Sequence, residues 1–185
     1  MKYIGNYVFF YGGYLSNFAE AHFVLSDFGE THEFFCSEQA FMWAKAKFFG
    51  DESTANAILS EKTDPMTCKS LGRMVQNYDD GRWASVRYEY MKKAVFEKFR
   101  QNTPMLKALC DSKNDGKTFV EASPTDGIWG IRLGLNTQDN VLLDEKNWRG
   151  TNLLGKVIND VRLSLIELMD FNPDYEKLRE MTKLY

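Results

Sequence analysis

Metal and disulfide chemistry have little to work with in this chain. Its 185 residues include two histidines, His22 and His32, and three cysteines, Cys36, Cys68 and Cys110. Neither histidine stands in a zinc-type spacing and no Cys-x-x-Cys occurs, so no metal site and no metal cofactor are expected. An odd number of widely spaced cysteines does not build a disulfide frame, and free thiols in a reducing cytoplasm are expected instead. No run reaches the roughly 18 apolar residues of a membrane span. The start, Met1-Lys2-Tyr3-Ile4-Gly5-Asn6, lacks the apolar stretch of a signal peptide. Net charge is only −3, from 23 Lys or Arg against 26 Asp or Glu. That gives no general coat for nucleic acid or membrane. Internal repeats and low-complexity segments are absent.

Aromatic residues, by contrast, are abundant: 14 Phe, 9 Tyr and 4 Trp. They suffice to fill a core and still line a pocket for a flat ligand. With 44% apolar and 26% charged residues, the composition is that of a folded domain. At a typical ~150 residues per domain, the length suits about one domain.

Tyr7–Tyr11 is β-branched and aromatic and stops at Gly12-Gly13, which predicts a buried strand. His22–Leu25 and Glu33–Cys36 flank a turn-rich tip and predict a hairpin. Ser37 is expected to cap a helix running to about Phe49 and closed by Gly50. Helices are then predicted over 51–62, from Asp64-Pro65 to about 76, from Arg82 to Arg100, and from Thr103-Pro104. Lys117–Ala122 reads as a strand, and 123–150 as a long irregular stretch of the kind that carries function. Thr151 or Asn152 should cap the last clear helix, whose stripe is Leu154, Val157, Ile158, Val161, Leu165 and Leu168. Asn172-Pro173 ends it, and 174–183 can add another. The fold class is therefore α+β, a single helix-dominated domain with a few short strands.

Charge is uneven. Residues 82–107 hold seven Lys or Arg against two Glu, a net +5. This is either a solvated helix face or a wall for phosphate or nucleic acid.

On the helix from Ser37, Glu38 and Lys45 are seven residues apart and share a face. They lie ~10 Å apart along the axis at the helical rise, too far for a strong direct pair; they either grip two parts of one ligand or are an ordinary boundary pair on an amphipathic helix. Beside the stripe Phe41, Ala44, Phe48, both stand at the edge of the buried face, where pKa values shift. Gly150-Thr151-Asn152-Leu153-Leu154-Gly155-Lys156 matches G-x-x-x-x-G-K, but Val157 replaces the Ser or Thr that would hold Mg²⁺, so an NTPase is poorly supported. A glycine-led helix start beside Arg149 still suits a phosphate. Trp83 and Trp129 are candidates for stacking on a base or for the core. Asp126, before Gly127-Ile128-Trp129-Gly130, is a carboxylate on a turn. Leu15-Ser16-Asn17-Phe18 either presents Ser16 and Asn17 to a ligand or forms an Asx or Ser turn.

These blocks resemble the NADAR family, whose bacterial members include YbiA-like N-glycosidases. The matching blocks are Leu15-Ser16-Asn17-Phe18, then Ser37-Glu38-Gln39-Ala40-Phe41 with Lys45, then Leu71-Gly72-Arg73. Further on come Trp83 with Met91-Lys92-Lys93-Ala94 and Lys98-Phe99, Asp126 with Trp129-Gly130, and Gly150-x-Asn152-x-Leu154-Gly155 with Val161-Arg162. They follow family order over about residues 7–168. Two departures stand out: Gln39-Ala40 where the family often has His-Tyr, and a longer loop between Gly130 and Gly150. The resemblance implies a YbiA-like domain over 1–170, with 171–185 as a helical extension. It also implies hydrolysis of a C–N bond between ribose and an exocyclic base amine. One implied substrate is ADP-ribose on guanine in DNA, towards which the basic 82–107 stretch and the elongated loop lean. The other is a ribosylamino-pyrimidine phosphate of riboflavin synthesis. A non-catalytic nucleotide- or ADP-ribose-binding module is the remaining class. On this reading Glu38, Lys45 and Asp126 are catalytic. Ser16, Asn17, Phe18, Arg73, Trp83, Trp129, Gly130, Arg149, Gly150 and Asn152 bind substrate. The partner is then ADP-ribosylated nucleic acid or the pyrimidine phosphate, with no membrane and no cofactor.

Overall fold

A computed structural model describes residues 1–171. Two small β units hold a helical body. Strand β1 (Lys2–Ile4) runs antiparallel to β2 (Tyr7–Phe10), which pairs in parallel with β5 (Thr118–Glu121). The register places Val8 opposite Phe119 and Phe10 opposite Glu121. The predicted hairpin forms from β3 (Phe23–Asp27) and β4 (Glu30–Phe34). Its two-residue turn has both central residues at positive φ, Phe28 at 52° and Gly29 at 77°, the geometry that matches strand twist.

Helices α1 (Ser37–Phe48), α2 (Glu52–Ser60), α3 (Pro65–Arg73), α4 (Asp80–Gln101), α5 (Thr103–Cys110), α6 (Asp139–Leu143) and α7 (Leu153–Phe171) complete the described residues. The cap of α1 is Cys36, not Ser37: its Sγ accepts the Gln39 N–H at 3.4 Å. Asp51, Asp64 and Asp79 cap α2, α3 and α4 through their carboxylates. Helix α4 therefore starts two residues before the expected Arg82. The long stretch 123–150 contains α6 and a single helical turn at 145–147. The proposed helix over 174–183, and nearly all of the 171–185 extension, lies outside the described residues.

Helix α1 is the centre of the body, packed by α2, α3 and α4. Ser37 to Ala44 are all buried, so α1 is not the half-exposed amphipathic helix that its charges suggest. Its own Phe41 and Trp43 rings pack against Trp83 and Phe34, and Trp83 stacks on Tyr90. Helix α7 covers the outer edge of β5. Asn159 Oδ1 accepts from Phe119 N–H at 3.3 Å, and Asn152 Oδ1 accepts from Glu121 N–H at 2.9 Å. An edge strand left bare would offer unpaired groups to other chains. No helix among the described residues is long and apolar enough to cross a membrane.

The basic stretch on α4 is not a free wall. Lys92 meets Asp160, Lys93 meets Asp27 and Arg100 meets Glu97. Arg82 rests on the rings of Phe48 and Phe49. Lys98 is buried and donates to the Ser16 carbonyl at 2.7 Å; burial lowers its pKa to about 7. Most of these cations thus have partners within the fold, which weakens the stretch as an argument for nucleic acid.

Candidate active site

A cleft of about 220 Å³ opens where α1, α3, α4 and the loop after β5 meet. Glu38, Lys45, Arg73, Trp83, Asp126 and Trp129 line it together, so the fold gathers these six residues from four separate elements.

Glu38 enters from the first turn of α1, and its N–H donates to the Asn17 carbonyl at 3.0 Å. It is 5% exposed. Burial pushes its carboxyl up to about 7; Lys69 and Arg73 pull it down, while Asp126 pushes it further up. Lys45 is half-buried two turns on. Its Nζ donates to the Gly72 carbonyl at 2.8 Å and lies 4.0 Å from the centre of the Tyr78 ring. Burial, with Arg73 adding, lowers its pKa, and Asp80 opposes. Gly72 lies so close under Met42 that a Cβ there would overlap the thioether. That close approach of α3 to α1 puts the carbonyl within reach of Lys45. Asp126 Oδ1 accepts the N–H groups of Ile128 and Trp129, both at 2.8 Å, which leaves its second oxygen for a ligand.

The two tryptophans differ. Trp83 is 4% exposed and stacks on Tyr90 at 13° and 5.7 Å, so it forms the floor. Trp129 is half-buried and edge-on to Phe41 at 5.2 Å, which leaves it the freer face.

Several expected ligand contacts serve the frame instead. Asn17 is buried and pins Glu38. Ser16 closes a turn by accepting from Phe18 N–H at 3.2 Å. The Phe18 ring lies under Lys69 Nζ at 5.5 Å and faces another depression with Lys62 and Pro65. Four consecutive N–H groups at the start of α7 are already spent and face no phosphate. Those of Thr151, Asn152, Leu153 and Leu154 donate to the carbonyls of Gly127, Gly130, Ile128 and Trp129. Arg149 is exposed and outside the cleft, and its own N–H donates to Ile131. A Cβ on Gly150 would overlap the Gly130 carbonyl, and one on Gly130 would crowd Ser123 and Glu121. These glycines, with Asn152, staple the Asp126 loop to α7.

Sequence reasoning missed Lys69, Tyr78, Arg87 and Met42, which also line the cleft. Lys69 lies four residues before Arg73 and Arg87 four after Trp83, the spacing that shares a helix face. Lys69, Arg73 and Arg87 have no carboxylate within ion-pair distance among the described residues, and Arg87 Nε is buried without a partner. Three such cations suit an anionic ligand. Among the described residues no three His, Cys, Asp or Glu side chains are grouped to hold a metal ion.

The sequence profile of the NADAR domain matches residues 9–166. The chain belongs to the NADAR family. It is 41% identical to Protein irg-1 of Caenorhabditis elegans over 79% of this chain and 68% of that protein. It is 39% identical to N-glycosidase R617 of Acanthamoeba polyphaga mimivirus, over 72% of this chain and 75% of the viral protein. An N-glycosidase of Nostoc punctiforme is 28% identical over 70% of this chain and 74% of its own length. The fold is similar to the NMR structure of the E. coli protein YbiA, with a TM-score of 0.66, 26% identity and 90% of each chain covered. Within this NADAR domain the Gln39-Ala40 departure falls on the buried side of α1. Gln39 accepts from Phe35 N–H and donates to the carbonyls of Ile58 and Glu61. It ties α2 to α1 and does not face the cleft.

Proposed function

We propose that this NADAR protein is an N-glycosidase that hydrolyses the C–N bond between a ribose and an exocyclic amine of a base, on a phosphate-bearing substrate. The observation that carries the reading is one cleft holding a buried carboxyl poised near neutrality, a second carboxylate and a half-buried lysine. Glu38, half-protonated near pH 7, suits proton donation to the departing amine. Asp126 then takes a proton from water as it adds to C1′, releasing the amine and the free sugar. In the second route the glycosylamine opens to an imine. The Lys45 amine adds to C1′, the base amine leaves with a proton from Glu38, and water cleaves the lysine Schiff base. Both routes consume one water and leave the protein unchanged. Lys45 must first leave the Gly72 carbonyl.

Trp129 is positioned to stack on the base, and Lys69, Arg73 and Arg87 to take phosphate. Cations spread over α3 and α4 favour the diphosphate of an ADP-ribosyl group, so ADP-ribose on guanine is the leading substrate. The small cleft volume favours the ribosylamino-pyrimidine monophosphate as the second reading. Offering both substrates to the purified protein and weighing the products separates them. Release of ADP-ribose or of ribose phosphate identifies the substrate. Release of neither, with binding retained, would replace the enzyme by a nucleotide-binding module.

A further inference from the structure

The reaction site has two acidic walls in view, Glu38 and Asp126, and a third acid behind them. Glu121 is the last residue of β5, opposite Phe10. Its backbone is fixed on both sides: the N–H donates to Asn152 Oδ1 at 2.9 Å and the carbonyl accepts from Ile131 N–H at 3.0 Å. Gly130, in the Asp126 loop, packs against that carbonyl so closely that no side chain fits. The side chain has no such support. Its Oε2 is buried and has no hydrogen-bond partner. Leaving a carboxylate oxygen dry and unpaired is costly, and a proton on the carboxyl relieves the cost. A purely structural acid at the end of an apolar strand, Phe119-Val120-Glu121-Ala122, would be expected to find a donor.

We propose that Glu121 is a positioning residue of this site: a third carboxyl that acts through Glu38 by holding the catalytic proton there. The proposal rests on the N-glycosidase reading for its meaning, though not for its measurement. Glu38 is faced by Lys69 and Arg73 from α3 and by Asp126 from the loop, and its charge reaches Glu121 on β5; the Cys36 and Cys68 thiols nearby are both raised by burial. Glu121 is faced by Asp126, Lys69 and Glu38. Burial raises Glu121 to about 7, Asp126 and Glu38 push the same way, and Lys69 opposes. Two acids that repel across a dry interior do not both ionise, and they lose their protons in two coupled steps. One proton therefore stays in the pair through neutrality, where Glu38 needs it to protonate a leaving amine.

The test is a ¹³C-carboxyl NMR titration of the glutamates, which requires no substrate, followed by a pH–rate profile. In the native protein Glu121 should titrate near neutrality in curves coupled to Glu38. Glu121→Gln removes the repelling charge, so the Glu38 midpoint should fall by about half a pH unit or more. Glu121→Asp should keep most of the raised midpoint. Activity in Glu121→Gln should be lost first on the alkaline side, where Glu38 sheds its proton early, with KM little changed. A Glu121 that titrates in the ordinary carboxylate range in the native protein overturns the proposal, even if the Gln variant does not fold. So does an unmoved Glu38 midpoint, or a loss of kcat equal at every pH. If neither substrate is cleaved by the native protein, the enzyme reading fails while the titration still decides the coupling.

Discussion

Replacing Glu38 by Gln is expected to abolish turnover and yet stabilise the fold, and to stabilise it only on the alkaline side. The isosteric amide keeps the helix and the backbone bond to Asn17. What it removes is a carboxylate that burial holds at about 7, against 4.5 when exposed to water. The sign follows from proton counting. Between about pH 4.5 and 7 the folded protein keeps a proton on Glu38 that the unfolded chain has released, so stability falls as pH rises through this window. Below it both states are protonated and nothing is lost. Above it the full penalty applies, and at about 1.4 kcal/mol per pH unit the shift amounts to about 3 kcal/mol. The amide meets the same dry surroundings as the protonated acid, so at pH 5 the two proteins should agree within about 1 kcal/mol. At pH 8 the Gln variant should be more stable by roughly 2–3 kcal/mol, or on the order of 5–10 °C in Tm. Urea unfolding at pH 5, 6, 7 and 8 measures this directly. A stability difference that is flat across pH, or a Gln variant weaker at pH 8, would refute the buried-acid account of Glu38. Such a residue is kept for its reactivity at a cost in stability.

Other consequences are equally concrete. Lys45→Arg keeps the charge and should lose turnover if the Schiff-base route operates; borohydride added during turnover should then mark the native Lys45 peptide with the ribosyl mass, and an active Arg variant with nothing trapped would leave the water route through Glu38 and Asp126. Arg87→Met should raise KM by about tenfold, the scale of one lost charged hydrogen bond, while Arg149→Ala should leave KM unchanged; the reverse pattern in steady-state kinetics would move the phosphate to the start of α7. Gly155→Ala places a Cβ against the Phe119 carbonyl and the Asn152 amide, so it should cost about 2–4 kcal/mol in denaturation through overpacking and a strained hydrogen bond. Side chains alone carry both routes, so EDTA should leave activity intact, and loss restored by a divalent ion would overturn them.

Local physics made much of the fold legible in the chain. Asp64-Pro65 starts a helix because proline gives up only an unused donor there and Asp accepts the freed ones. Gly12-Gly13 and Gly50 stop elements where positive φ is needed. Glu38 and Lys45 share a face because of helical repeat alone, and both line the cleft. Other features depended on what packs against what. Four residues of spacing put Lys69 beside Arg73, but only the approach of α3 to α1 over Gly72 turns that face into a wall. The Gly150–Gly155 turn reads as a phosphate cradle until the Asp126 loop is seen taking its N–H groups. The positive charge of α4 reads as a nucleic-acid surface until Asp27 and Asp160 are seen facing it. Glu121 is one acid in a strand; only burial without a donor, beside two other carboxyls, gives it an unusual protonation. Helix starts, turns and shared faces are set by neighbours a few residues away, so they can be read along the chain. Which donors remain free and which acids are dry depends on partners far along the chain that meet only once it has folded.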